Sequence, residues 1–346
     1  MKYRALADTG VFVSELCLGT MTFGGKGQMW ETIGGLAQAE VDSIVGRALE
    51  GGINFIDTAD VYSTGESEVM TGKALKGKRQ DLVLATKVRG RMGPGANEVG
   101  LSRLHIMQGV EASLKRLGTD YIDLYQIHRS DAFTNIEDTL RALDDLVRQG
   151  KVRYIGCSNL PAWELMKALG TSRAQNLERF KCTQSFYSLA GREIERDTIP
   201  LLQDQGLGLL VWSPLAGGFL SGKFTRDGEG SGRRKNFDFP PLDKDRGYAI
   251  VDELASIAEG KGASVPQVAL AWVLANKTVS SVIIGARKMA QLEDNLGAVD
   301  VLLSSDELAR LNAVSQLPLT YPAWMESMGS DRLPGEARSF DAAKKE

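Results

Sequence analysis

The sequence predicts an α/β fold, a closed barrel of eight parallel strands wrapped by helices, and three observations carry that prediction. Eight short apolar runs recur along the 346 residues. Segments with apolar residues at helical spacing alternate with them, the pattern of repeated βα units. No Gly-x-Gly-x-x-Gly stands anywhere in the chain, so the turn that an open dinucleotide-binding sheet needs after its first strand is missing. Eight repeats without that turn favour the closed (β/α)8 TIM barrel over the open, doubly wound sheet.

Taken in order, residues 2–14 (KYRALADTGVFVS) read as a short hairpin that plugs the barrel bottom. The strand runs are SELCLGT, INFIDTA, LVLATKV, IDLYQIH, RYIGCSN, KCTQSFYSL, GLLVWSPL and VSSVIIG. Most are apolar at nearly every position, as strands covered on both faces must be. Helical segments lie between them, for example AEVDSIVGRALEGG, RLHIMQGVEASLKRLG and IEDTLRALDDLVRQGK. Several end in Gly or Lys-Gly, the usual helix stop. Residues 223–245 are rich in Gly, Pro and charge and predict a long, mobile loop in the seventh unit. Residues 264–276 (SVPQVALAWVLAN) predict a helix additional to the repeat, capped by Ser264 with Pro266 in its first turn. The fold is thus a single domain over 1–346 with an N-terminal hairpin, two extra helices and a long loop after strand seven. The tail from about residue 318 lacks periodicity and is expected to fray.

Composition bounds the function. The chain is 43% hydrophobic and 25% charged, ordinary for a globular protein, with a net charge of -3. An acidic balance argues against a nucleic-acid surface. Cys17, Cys157 and Cys182 each lie in an apolar run and read as buried free thiols of a reducing compartment. With two histidines, His105 and His128, and no paired cysteine spacing, no metal site is expected. The N-terminus has no signal-peptide core and no apolar run is long enough to span a bilayer. A cytoplasmic protein, monomeric or homo-oligomeric and acting on a small molecule, is the expectation.

Active sites of such barrels lie at the C-terminal strand ends. Asp57 ends the second run, Tyr62 follows in its loop, Lys87 ends the third and His128 the fourth. Neighbouring strands lie about 4.8 Å apart, so the four groups can converge. Lys87 beside Asp57 makes an ion pair, and Lys87 beside Tyr62 is expected to lower the phenol pKa and make Tyr62 a general acid. A neutral His128 would orient the same substrate oxygen.

The later strand ends suit a flat amide-bearing ring. Ser158, Asn159 and Gln184 offer carboxamide partners, and Trp212 offers a stacking plane. Ser213 to Gly218 are expected to wrap a pyrophosphate with main-chain N–H groups. Arg287, Gln291 and Asn295 share a face at a helix start, a phosphate-binding arrangement that suits the 2′-phosphate of NADPH. Gly217 to Lys223 (GGFLSGK) matches P-loop spacing, but Phe224 replaces the magnesium-binding Ser or Thr, so an ATPase is rejected.

With these residues in view, the chain from Tyr3 to about Leu311 resembles an aldo-keto reductase of the bacterial and potassium-channel β-subunit branch. The resemblance rests on LCLGTMTFG, GINFIDTADVYSTGESE, LATKV, SLKRLGTDYIDLYQIH, GKVRYIGCSN, WSPLAGGFLSGK and VIIGA with QLEDN. It implies reversible NADPH-dependent reduction of an aldehyde or ketone, with Asp57, Tyr62, Lys87 and His128 as the catalytic tetrad. It implies cofactor contacts at Gly19, Thr20, Met21, Asp57, Ser158, Asn159, Gln184, Trp212, Ser213, Pro214, Leu215, Gly217, Lys223, Arg233, Gly285, Arg287, Gln291, Asp294 and Asn295. Asp294 departs from the Glu common in that branch. Candidate substrate contacts are Met21, Phe23, Trp30, Tyr62, Arg89, His128 and Arg129, with Tyr321 and Trp324 of the tail and the 223–245 loop beside them. Two alternatives stand beside this reading. One is a cofactor-sensing channel-β-like subunit with vestigial catalysis. The other is a Schiff-base aldolase using Lys87, which an adjacent Asp57 opposes.

Overall fold

The computed structural model describes residues 1–326 except 26, 225, 227–233, 235 and 236. Two strands, β1 (Tyr3–Ala5) and β2 (Phe12–Ser14), pair as an antiparallel hairpin. Eight parallel strands then close a barrel: β3 (Leu16–Gly19), β4 (Phe55–Asp57), β5 (Val83–Val88), β6 (Ile122–Ile127), β7 (Val152–Ser158), β8 (Cys182–Phe186), β9 (Gly208–Trp212) and β10 (Val279–Ile284), with β10 returning to β3. The (β/α)8 barrel and its hairpin are therefore present as the sequence predicts.

Helices α2 (Gln38–Glu50), α3 (Glu66–Ala74), α4 (Arg103–Leu117), α5 (Ile136–Arg148), α6 (Ala162–Gln175) and α7 (Thr198–Gln205) cover the wall in turn, after a short α1 (Gln28–Ile33). Two helices, α8 (Lys244–Lys261) and α9 (Val265–Ala275), intervene before β10, and α11 (Ser305–Ser315) follows α10 (Met289–Leu296). The caps obey the local chemistry. Ser102, Asn135 and Asp243 accept a first-turn N–H at α4, α5 and α8. Ser264 and Gln267 form a capping box on α9. Gly118, Gly206 and Gly262 close α4, α7 and α8 in the left-handed conformation that glycine adopts without strain.

Met1–Ser315 forms one compact unit and Gln316–Glu346 a second. By itself, the described part of the second holds a short helix, Ala323–Glu326, with the rings of Tyr321 and Trp324 6.0 Å apart. The mobility expected for the 223–245 loop and for the tail falls in part on residues outside the described ones: 225, 227–233, 235 and 236 in the loop and 327–346 in the tail.

Alternation along the strands positions the site. On the inner face, Cys17, Phe55, Ala85, Leu124, Cys182 and Leu210 form an apolar layer closed from below by Leu6 and Val13 of the hairpin. Two residues further on, where the side-chain period returns to the same face, stand Asp57, Lys87, Gln126 and Gln184. The floor is dry and the layer above it is polar. The other face of each strand, with Leu18, Ile56, Leu84, Val88 and Ile127, packs against the helices. All three cysteines are buried and free.

Candidate active site

Lys87 is fully buried and its ammonium is saturated. Its Nζ donates to Asp57 Oδ2 at 2.6 Å, to the Thr58 carbonyl at 2.9 Å and to Tyr62 Oη at 3.3 Å. The remaining Asp57 oxygen, Oδ1, accepts from Gln184 Nε2 at 2.8 Å and Gln126 Nε2 at 3.2 Å. Burial is the largest influence and works against the Lys87 charge, but Asp57 and Tyr62 together outweigh it and the pKa rises above its usual value. A charged ammonium is not a nucleophile, which removes the support for the aldolase alternative.

The Tyr62 and His128 rings meet edge to face at 5.9 Å, and Trp30 stands against Tyr62 at 5.7 Å. The tetrad candidates are therefore together. One expectation about them changes. Lys87 was expected to lower the Tyr62 pKa; burial of the phenol is the larger influence and the net shift is upward, with Lys87 opposing it. Tyr62 thus keeps its proton at any pH near neutral. His128 moves the other way: burial first, then the charges of Lys87, Arg129 and Arg89, hold its pKa down to about 3. A neutral imidazole can donate a hydrogen bond without carrying charge.

Strain accompanies these positions. Of the eight non-glycine residues at positive φ among the described residues, Ser63, Thr64, Arg89, Asn159, Ser213 and Ala216 all follow the C-terminal ends of barrel strands. Such conformations persist only where surrounding contacts impose them, and they gather at functional rims. Ser63, next to Tyr62, is held by its hydroxyl bond to the Phe23 carbonyl at 3.0 Å.

Sequence reasoning missed Asp60, Gln126 and the Thr58 carbonyl. Gln126 was legible in principle, because it lies two residues before His128 on the inner face. Asp60 was not. It is fully buried, and neither carboxyl oxygen has a hydrogen-bond partner among the described residues. Burial and nearby Glu68 push its pKa up to about 8. The folded state thus holds a proton that the unfolded chain releases near pH 4, so this contribution to stability is present below about pH 4 and is lost as pH rises toward 8. Asp60→Asn mimics the neutral acid and should leave unfolding free energy nearly unchanged at pH 4 but raise it progressively above that, by several kcal/mol (about 1.4 kcal/mol per pH unit) at pH 8. Denaturant titrations at both pH values check this; a constant difference would show that Asp60 does not titrate in that range.

The other half of the rim holds the cofactor candidates. Ser158 Oγ donates to the Gln184 carbonyl, and Asn159 Nδ2 donates to the His128 carbonyl and to Ser158 Oγ. Trp212 Nε1 donates to Asn159 Oδ1 at 3.0 Å, linking β7 and β9 at the rim. The Trp212 ring lies parallel to Phe239 at 5.8 Å. The turn after β9 differs from expectation. Ala216 N–H donates to the Ser213 carbonyl, Gly217 N–H to Ser213 Oγ, and Gly218 N–H to the Leu215 carbonyl. These three donors close a tight helical turn on itself, so they are not free for the expected N–H cradle. Pro214 is buried within that turn, while Lys223 after it is exposed.

Arg287 is exposed at the start of α10, where its main-chain N–H is capped by Gln291 Oε1 at 2.9 Å. Asn295 is buried on the same helix, and the Asp294 carbonyl accepts from Gln267. A methyl group on Gly19 would lie 2.6 Å from Ile283, so this glycine allows β3 and β10 to approach; Gly285 is open. The Thr20 hydroxyl is committed to buried Ser67 at 2.9 Å. Arg233 lies outside the described residues.

Of the substrate candidates, Met21 and Trp30 pack in one cluster with Tyr62, together with Phe237. Phe23 does not join them. It is fully buried in the outer core and bridges to Leu36, so it packs the wall instead of lining the mouth.

Among the described residues no helix is long and apolar enough to cross a membrane. The profile of the family described as Aldo/keto reductase family matches residues 15–316. An uncharacterized oxidoreductase, YrpG, of Bacillus subtilis (strain 168) is 37% identical over 326 residues, 91% of this chain and 96% of its own. A probable voltage-gated potassium channel subunit beta of Arabidopsis thaliana is 37% identical across 87% of this chain and 92% of its own. Versiconal hemiacetal acetate reductase of Aspergillus parasiticus is 36% identical across 90% and 96%.

Proposed function

This chain belongs to the aldo/keto reductase family of carbonyl oxidoreductases, and from that premise we propose that it reduces an aldehyde or ketone to the alcohol with NADPH, Tyr62 supplying the proton. The observation that carries this reading is the buried Asp57–Lys87–Tyr62 chain of hydrogen bonds ending beside a neutral His128. Tyr62 holds the proton to be delivered at its Oη. Lys87 donates to that oxygen and opposes, with its charge, the rise in phenol pKa caused by burial. Asp57 keeps Lys87 charged and in place, itself held by Gln126 and Gln184. His128 can hydrogen-bond the substrate oxygen and orient it toward Tyr62.

The donor set of the opposite rim suits a dinucleotide. Ser158, Asn159 and Gln184 present amides and a hydroxyl next to the tetrad, Trp212 presents a half-exposed ring, and Arg287 presents an exposed guanidinium at a helix start. When bound, the reduced nicotinamide would supply hydride to the carbonyl carbon. Arg287 is the residue that favours a 2′-phosphate.

An assay of NADPH and NADH oxidation over a panel of aldehydes and ketones tests both statements. NADPH is expected to be preferred, and Arg287→Ala should narrow the kcat/KM ratio of the two cofactors about tenfold. Equal use of NADH by the parent would remove Arg287 from that role. A second reading, a cofactor-sensing subunit with vestigial turnover, draws support from the 37% identity to the potassium channel β-subunit relative. Negligible turnover across the panel, with NADPH still bound, would favour it.

A further inference from the structure

Arg89 follows β5 and Arg129 follows His128 at the end of β6, on neighbouring strands whose register pairs Val88 with Ile127. The two chain ends are stitched together: His128 N–H donates to the Val88 carbonyl at 2.9 Å, and Arg89 Nε to the Ser130 carbonyl at 3.3 Å. Arg89 is held at φ 130, a left-handed conformation unfavourable for a bulky residue. It is partly buried and Arg129 is exposed. Each guanidinium lowers the His128 pKa, and Arg129 also lowers that of Arg89, the mark of like charges held close.

No ion pair closes on these two guanidiniums among the described residues. Asp131 attracts Arg89 without pairing with it, its oxygens being held by neutral donors: Oδ2 accepts from Leu101 N–H and Thr134 Oγ1, both at 2.7 Å, and Oδ1 from Phe133 N–H at 3.1 Å. Lys87, the third cation acting on His128, is already matched by Asp57. His128 itself is neutral. An acidic protein therefore carries two cations against one nearby carboxylate beside His128, the hydrogen-bond donor of its proposed carbonyl site.

We propose that the substrate carries an anionic group, such as a carboxylate, which Arg89 and Arg129 bind while the carbonyl lies between His128 and Tyr62. This rests on the carbonyl-reductase reading and narrows it to a substrate class. Guanidinium forks suit carboxylate geometry, and a positive mouth also speeds capture of an anion.

The test compares 3- and 4-carboxybenzaldehyde with their methyl esters, close in size and reactivity. The better acid is expected to exceed its ester about tenfold in kcat/KM at low salt. That excess should shrink severalfold as salt rises from about 20 to about 300 mM. Arg89→Gln and Arg129→Gln should each lower the acid-to-ester ratio, and Arg129→Lys should retain part of it. Calorimetric binding of the corresponding carboxybenzyl and ester alcohols reads the same preference without turnover. Esters reduced as well as acids, or a preference untouched in both Gln variants, would overturn the proposal while leaving carbonyl reduction intact. No reduction of any aldehyde, with tighter arginine-dependent binding of the acid alcohol, would overturn the reductase reading and leave the anion site standing. No reduction and no binding preference would overturn both.

Discussion

Tyr62→Phe is expected to cut carbonyl reduction by about 10²–10⁴-fold while the dissociation constant for NADPH stays within about twofold. The substitution removes one atom, the phenol oxygen 3.3 Å from Lys87 Nζ, and keeps the ring that packs edge to face with Trp30 and His128. Stability should change little for the same reason. The alternative proton donors are poor: Lys87 is held charged by Asp57, and His128, with a pKa near 3, has no acidic proton to give at neutral pH. Because the Tyr62 pKa lies above its ordinary value near 10, the parent enzyme should also show no loss of reduction rate up to about pH 9 from this group. Stopped-flow or steady-state rates with fluorescence titration of NADPH check both parts. Turnover comparable to the parent would remove Tyr62 from the donor role.

Lys87→Met has the largest expected effect on stability. It leaves the Asp57 carboxylate, 2% exposed, with two amide donors and no counter-charge. Breaking a buried pair in this way costs about 3–5 kcal/mol, because the orphaned charge stays desolvated. Asp57→Asn in the same chain should restore most of that loss, since an amide no longer needs a cation. By contrast, the exposed Arg103–Asp145 pair, 55% and 40% exposed, should contribute at most about 1 kcal/mol. Urea midpoints of the single and double variants decide the matter. Additive losses in the double variant would mean that Lys87 acts through packing and not through charge.

Much of this was legible in the chain itself. Period-2 alternation put Asp57, Lys87 and Gln184 on the inner face one layer above Phe55, Ala85 and Cys182, and the hairpin, the cap at Ser264 and the strand order all followed from local pattern. The position of Phe23 next to the first strand end suits either the mouth or the wall. Only folding buries it in the outer core, bridged to Leu36.

The sequence by itself determined the barrel, its topology and the residues whose types can transfer a proton, because those depend on periodicity and side-chain chemistry along the chain. Tertiary structure alone decided their electrostatics. The direction of the Tyr62 shift is a balance between burial and a cation 3.3 Å away, and neither quantity exists in one dimension. The same holds for Asp60, a common loop residue until folding buries it and leaves its carboxyl without a hydrogen-bond partner among the described residues. It holds too for the turn after β9, where the N–H groups of Ala216, Gly217 and Gly218 bond internally, and for Arg89 and Arg129, two cations that the fold sets beside His128 with only Asp131 near Arg89. Charge and hydrogen-bond capacity are written in residues, but whether they remain available depends on what folding places beside them.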